Sequence, residues 1–167
     1  LFRYLPDSDQ LEKVLTPFQL AGIKDSNIRD LVITDQGQFW FGLWGEGVLY
    51  WDPATATVKT YLQQLLARNV GDAVQGMLVT AEEVWIGTRY SGLFKLNKQT
   101  EQLSATEMLR QAGLQLPSAD VQCVEQGPQQ QLLICTTNGL VLYDPTRQQQ
   151  QIFDRQHGLT GDNIVGA

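Results

Sequence analysis

The stretch 38–53 reads Gln-Phe-Trp-Phe-Gly-Leu-Trp-Gly-Glu-Gly-Val-Leu-Tyr-Trp-Asp-Pro, and the chain uses it more than once. It returns at 83–97 as Glu-Val-Trp-Ile-Gly-Thr-Arg-Tyr-Ser-Gly-Leu-Phe-Lys-Leu-Asn, and in weaker form at 132–145 as Leu-Leu-Ile-Cys-Thr-Thr-Asn-Gly-Leu-Val-Leu-Tyr-Asp-Pro. Trp85 follows Trp40 by 85 − 40 = 45 residues, and Leu133 follows Trp85 by 133 − 85 = 48. Each copy is two apolar strands joined by a Gly-bearing connection and closed by a turn. A unit of this length with several strands reads as a propeller blade, since one small sheet cannot bury both faces alone and must stack on the next. The repeat therefore predicts an all-β chain: a β-propeller fragment of about three complete four-stranded blades, with partial blades at both ends.

The blades fall at approximately 1–22 (partial), 28–66, 74–112, 121–156 and 164–167 (partial). In the partial first unit, strands are expected at 1–4 and 13–18, then a polar loop over 22–27. The complete units carry strands at 28–34, 39–43, 47–52 and 57–62; at 74–80, 84–88, 92–96 and 101–105; and at 121–125, 132–136, 140–143 and 150–153. Asp35-Gln36-Gly37 is a tight turn, with Gly supplying the positive φ. Asp52-Pro53-Ala54-Thr55 is a type I turn signal, repeated as Asn97-Lys98-Gln99-Thr100 and Asp144-Pro145-Thr146-Arg147. The connections 61–68 and 107–112 are expected to hold short helical turns, the second with Thr106 as N-cap and Gly113 beyond its end. The Gln run at 148–151 sits where an exposed outer strand is due. Gly42 and Gly87 match within the Trp strands, where a small residue permits close approach of the next blade, and Cys135 takes that place in the third unit. Gly47, Gly92 and Gly139 match at the start of each third strand, a place for a conformation other residues reach only at a cost. Cys123 and Cys135 flank a turn centred near Pro128-Gln129, so they are expected side by side on adjacent strands. That placement suits buried free thiols and a bridge alike.

Apolar residues make up 43% of the chain and charged residues 18%, the balance of a packed domain. The net charge of −6 argues against a nucleic-acid or anionic-membrane surface, both of which need basic patches. No apolar run approaches the roughly 20 residues that span a bilayer. The start Leu1-Phe2-Arg3-Tyr4 carries neither an initiator Met nor a basic-then-apolar leader, and reads as a start within a longer chain.

The unit order is Asn-Ile, apolar strand, Asp-x-Gly, Trp-[Ile/Phe]-Gly, Gly-[Leu/Val], Asp-Pro. It resembles the two-component regulator propeller repeat. The matching residues are Asn27-Ile28, Asp35-Gln36-Gly37, Trp40-Phe41-Gly42, Gly47-Val48 and Asp52-Pro53. They continue as Trp85-Ile86-Gly87-Thr88 with Gly92-Leu93, Gly139-Leu140 with Asp144-Pro145, and the loop from His157 to Ile164. The third unit departs, with Leu133-Ile134-Cys135-Thr136 in place of Trp-Ile-Gly-Thr. The resemblance implies a periplasmic, seven-bladed propeller from the sensor region of a bacterial hybrid histidine kinase or diguanylate cyclase. Such a region is anchored through a membrane helix to a cytoplasmic signalling module. A WD-repeat propeller would want Trp-Asp ending each third strand, and Trp51-Asp52 supplies it once.

Trp40 and Trp85 sit mid-strand and belong in the core between blades. Trp44, Glu46, Arg89, Tyr90 and Asn138 fall in the connections from second to third strand and are the candidate ligand-binding residues. Alternate connections of an antiparallel sheet emerge at one end, so these share a face with Asp25, Asn27, Asp72, His157 and Asp162 in the inter-blade loops. The opposite face carries tight turns, expected to be too short to shape a pocket. Asp25, Asp72, Asp120 and Asp162 are expected to cap loop backbone. Glu82-Glu83 and the pair Asp7 and Asp9 fall in turns. His157 is the only histidine, expected solvated in its loop, and no cofactor, metal or catalytic set is expected. The reading is a non-catalytic segment sensing a ligand or partner. The expected partners are a small molecule or oligosaccharide, the remaining blades of the parent chain, and a second copy through exposed blade edges; nucleic acid is not among them. The alternatives are a fragment of a propeller enzyme acting on polysaccharide, such as a glycosidase or lyase, and a protein-interaction scaffold.

Overall fold

The computed structural model describes residues 2–13, 16–23, 27–62 and 72–159. Strands β1 (Phe2–Leu5) and β2 (Gln10–Lys13) form a two-stranded hairpin, followed by helix α1 (Thr16–Leu20). Three four-stranded antiparallel sheets follow, each a simple meander. They are β3 (Ile28–Ile33), β4 (Phe39–Leu43), β5 (Gly47–Asp52) and β6 (Thr57–Tyr61); β7 (Val74–Val79), β8 (Glu83–Thr88), β9 (Leu93–Asn97) and β10 (Leu103–Ser104); and β11 (Val121–Gln126), β12 (Leu132–Thr136), β13 (Gly139–Asp144) and β14 (Gln149–Phe153). Helix α2 (Thr106–Gln111) links the second sheet to the third. The first strands β3, β7 and β11 lie side by side, so the sheets stack radially as blades do.

Both faces of a middle blade are buried, which is why its central strands are continuously apolar. Trp40 and Val48 of the first sheet pack with Met77, Val84, Ile86, Phe94 and Leu96 of the second. Trp85 and Leu93 of the second pack with Val121, Val124, Leu132, Ile134 and Val141 of the third. Trp40 and Trp85 are each 2% exposed, as core residues should be. A Cβ added to Gly42 would lie 2.7 Å from Val74 Cγ1, and one on Gly87 2.6 Å from Val121 Cγ1, so both glycines are required by the approach of the next sheet. Gly47, Gly92 and Gly139 take φ of 77°, 81° and 138°.

The turn end is stereotyped. Asp52 Oδ1 accepts from Ala54 N–H (2.9 Å), Asn97 Oδ1 from Gln99 and Thr100 N–H (3.0 and 2.9 Å), and Asp144 Oδ1 from Thr146 and Arg147 N–H (both 3.0 Å). Cys123 and Cys135 are cross-strand partners and form a disulfide, with Cα atoms 4.9 Å apart. The equivalent pairs in the other sheets are Asp30 with Gly42 and Gly76 with Gly87, so one cross-strand position holds three chemistries. The Gln run forms most of β14, an outer strand with three exposed or half-buried glutamines.

Four expectations are corrected. The strand placed at 13–18 is displaced to β2, because the turn at 6–9 sets the register Phe2↔Lys13 to Leu5↔Gln10, and residues 16–20 are helical instead. The polar loop placed over 22–27 contains a buried apolar residue: Ile23 is 6% exposed and packs with Phe18 and Phe41. Ala21-Gly22-Ile23 after α1 repeats as Ala112-Gly113-Leu114 after α2. In both, a glycine of positive φ (71° and 88°) turns the chain so that Ile23 N–H reaches Phe18 O and Leu114 N–H reaches Leu109 O. Thr106 does not cap α2; the N-cap position is Ala105, and the Thr106 hydroxyl instead bridges Leu93 N–H and Leu93 O (2.8 and 2.9 Å). The fourth strand of the second sheet spans only Leu103–Ser104, because the chain leaves the sheet for α2 at Thr106, whose hydroxyl is held by Leu93. Of the helical turn expected over 61–68, Tyr61 is the last residue of β6 and 63–68 lie outside the described residues, as does the strand beginning at 164.

Candidate ligand-binding site

The loop end is built by one hydrogen bond that every sheet repeats. The residue after each second strand donates its N–H to the carbonyl of the residue before the same sheet's first strand: Trp44 to Asn27 O (3.0 Å), Arg89 to Ala73 O (3.0 Å) and Thr137 to Asp120 O (3.1 Å). A second bond ties each connection to the next sheet, Gly45 N–H to Asp72 O (2.9 Å) and Gly92 N–H to Ala119 O (3.0 Å). Trp44, Arg89 and Thr137 are thus equivalent positions on a rigid frame. The backbone is fixed while the side chain is free to differ.

Each first strand also slips register after its opening residue, between Ile28 and Asp30, Val74 and Gly76, Val121 and Cys123. Such an irregularity re-aims the residue within it. Arg29, Gln75 and Gln122 occupy those equivalent positions and line a cleft of about 530 Å3 along the three first strands. Gln75 Nε2 (2.8 Å) and Gln122 Nε2 both donate to Asp120 Oδ1.

Asp72 is fully buried and holds the cluster. Its Oδ1 accepts from Ala73 N–H (2.8 Å) and Tyr90 N–H (3.0 Å), and its Oδ2 from the Ser91 hydroxyl. A buried carboxylate with several donors is a stable loop clamp. On that clamp the Arg89 guanidinium lies 5.5 Å from the Trp44 ring centroid and 5.0 Å from that of Tyr90; the Arg29 guanidinium lies 5.6 Å from Trp44. Tyr90 is 51% exposed and borders a second cavity of about 370 Å3 with Ser91, Thr106, Arg110 and Leu116.

Of the five candidates, the structure brings Trp44, Arg89 and Tyr90 into one cluster. Glu46 is half-buried in the β4–β5 connection, and Asn138 is exposed at the same end, its N–H donated to Thr136 Oγ1 (3.2 Å). Asn27 and Asp72 are at this end too, whereas Asp25 and Asp162 lie outside the described residues. Asp72 caps loop backbone, as expected. His157 is exposed and pairs with Asp154 (Nδ1 to Oδ1, 2.8 Å), which holds the Asp154 carboxyl below its ordinary range. Arg29, Gln75 and Gln122 were not anticipated. Their signal is a polar residue following a β-branched one at the start of every first strand, Ile-Arg, Val-Gln and Val-Gln.

One expectation about the turn end is overturned. Its turns do shape a groove, of about 910 Å3, where the second and third sheets diverge between Glu82, Lys95, Gln126 and Arg147. Its two cations are paired within the chain: Lys95 with Glu83 at 3.1 Å and Arg147 with Asp144 at 3.7 Å. Among the described residues, no group of three His, Cys, Asp or Glu is placed to hold a metal ion, and no helix is long and apolar enough to cross a membrane.

This fold is shared with extracellular domains of bacterial two-component systems. The extracellular domain of BT4673 from B. thetaiotaomicron superposes on 98% of this chain with a TM-score of 0.74 at 21% identity. BT4673 is assigned to the hybrid two-component systems in that structure and to the one-component systems in a second, which superposes with a TM-score of 0.71 at 20% identity over 98% of this chain. The extracellular domain of BT3049, from the same organism and assigned to the hybrid two-component systems, covers 90% of this chain with a TM-score of 0.60 at 17% identity. This chain spans about a fifth of those structures, 21% of each BT4673 domain and 18% of BT3049. Neither a family model nor a curated protein matches the sequence.

Proposed function

We propose that this chain is a non-catalytic, ligand-sensing propeller segment in the extracytoplasmic region of a membrane-anchored bacterial signalling receptor, on the periplasmic side. One observation carries the reading. At the loop end, equivalent positions share their backbone bonds and differ in side chain, and there Trp44, Arg89 and Tyr90 meet on the Asp72 clamp. A rigid scaffold that presents varied loop residues is the usual form of a binding site. The fold shared with extracellular domains of two-component systems supports the sensing context, and the Cys123–Cys135 disulfide fits an oxidising compartment.

Further blades of the same receptor complete the ring in this reading. They cover the apolar side chains of Phe2 (60% exposed), Leu11 (67%) and Ile33 (55%), a set that a closed propeller would bury. The test is a thermal-shift series with oligosaccharides on the chain and its Trp44→Ala variant, together with a reducing-end assay for hydrolysis. A stabilising saccharide that is not cleaved and is lost with Trp44→Ala supports the reading. Cleavage makes the chain part of an enzyme, and a shift that survives Trp44→Ala moves the site elsewhere.

A further inference from the structure

Several of the basic side chains are tied down within the chain. Arg3 pairs with Glu12, Lys59 with Glu101, Lys95 with Glu83, Arg110 with Glu107 and Arg147 with Asp144. Lys98 donates to Thr80 O. Arg29 and Arg89 form no ion pair among the described residues, although the chain carries 18 acidic residues against 12 Lys and Arg. Both instead stand at about the same distance from one indole, 5.6 and 5.5 Å from the Trp44 centroid. The nearby acids are committed: Asp72 is buried on three donors, and Asp120 takes Gln75 and Gln122.

The two arginines come from different sheets and have different reasons to be there. Arg29 is placed by the slipped register of β3, and Arg89 by its N–H bond to Ala73 O. An aromatic face offsets a cation only in part. Two guanidiniums set against one indole, neither of them ion-paired among the described residues, leave positive charge and a set of directed N–H donors around Trp44. The forked geometry of guanidinium matches a carboxylate or sulfate through paired hydrogen bonds.

We propose that the Arg29–Trp44–Arg89 cluster recognises an anionic group, a carboxylate or sulfate ester, on the sensed ligand; this rests on the loop-end reading above. A uronate-containing or a sulfated saccharide meets the requirement. Gln75 and Tyr90 stand beside the cluster to bond the hydroxyls of the same molecule.

The experiment titrates the whole chain by calorimetry with trigalacturonate, a sulfated and an unsulfated chondroitin disaccharide, and neutral cellotriose. At least one anionic probe is expected to bind saturably while cellotriose does not, and the unsulfated chondroitin disaccharide, which keeps its uronate carboxylate, separates carboxylate from sulfate. Arg29→Gln and Arg89→Gln are each expected to weaken binding about tenfold, with unchanged thermal unfolding. Arg89→Lys should recover part of the loss by restoring charge without the fork. Cellotriose binding as tightly as the anionic probes, anionic binding indifferent to both Gln variants, or no binding by any anionic probe overturns the proposal. In the first two cases, weakened binding by Trp44→Ala keeps the loop-end reading standing, and unchanged binding brings both down.

Discussion

The two ends of these sheets descend from one repeat and have been used differently. At the turn end, Asp52, Asn97 and Asp144 each fold a side-chain oxygen back onto the backbone two residues on. At the loop end, Trp44, Arg89 and Thr137 share a backbone bond and nothing else, and the slipped register of the first strands holds arginine once and glutamine twice. A turn that needs a short oxygen-bearing side chain accepts few residue types. A connection held by main-chain bonds accepts nearly any. The repeat is therefore constrained where it builds the scaffold and free where it presents a surface.

That contrast predicts that scaffold substitutions change stability and leave binding alone, with loop-end substitutions doing the reverse. The largest stability effect is expected from Cys123→Ala with Cys135→Ala. The bridge closes a separation of 12 residues, and its loss should cost about 2–4 kcal/mol in urea unfolding. Gly87→Val comes next. Its Cβ would meet Val121 at 2.6 Å and force the second and third sheets apart, costing about 1–3 kcal/mol. Asp144→Ala removes two backbone acceptor bonds at an edge of the turn end and should cost about 1 kcal/mol. A stability loss of that size from Trp44→Ala, with saccharide binding intact, would break the comparison.

The smallest effect is a pH dependence. The hydrogen bond to His157 is the first cause that lowers the Asp154 carboxyl, so its contribution is present above the ordinary carboxylate value of about 3.9 and is lost as pH falls through the lowered one. Asp154 is open to solvent on one side, and the difference between the chain and Asp154→Asn should be slight at neutral pH and vanish in acid. A difference that grows on acidification would contradict the assignment.

Strand order, turns, close-approach glycines and the facing of Cys123 with Cys135 were all legible in the sequence, because each is a local rule repeated at a fixed period. What escaped depends on register or on distant partners. The hairpin β1–β2 is set by pairing, and Thr16–Leu20 is a helix whose exit Ala21-Gly22-Ile23 matches Ala112-Gly113-Leu114 after α2. Thr106 looked like a cap until Leu93 claimed its hydroxyl. Trp44, Arg89 and Tyr90 were readable from their place in the connections, whereas Arg29 was hidden by a one-residue slip that alternation along a strand does not reveal. The groove at the turn end comes from the spread between neighbouring sheets, which no single turn encodes.

The most direct test of the loop-end assignment is backbone hydrogen exchange on the chain with and without whichever anionic probe binds, trigalacturonate or the sulfated chondroitin disaccharide, at saturation. Slowed exchange at 44–46 and 89–91, with 80–83 and 144–147 unchanged, is the expected result. Protection confined to 80–83 and 144–147, around the turn-end groove, would contradict it.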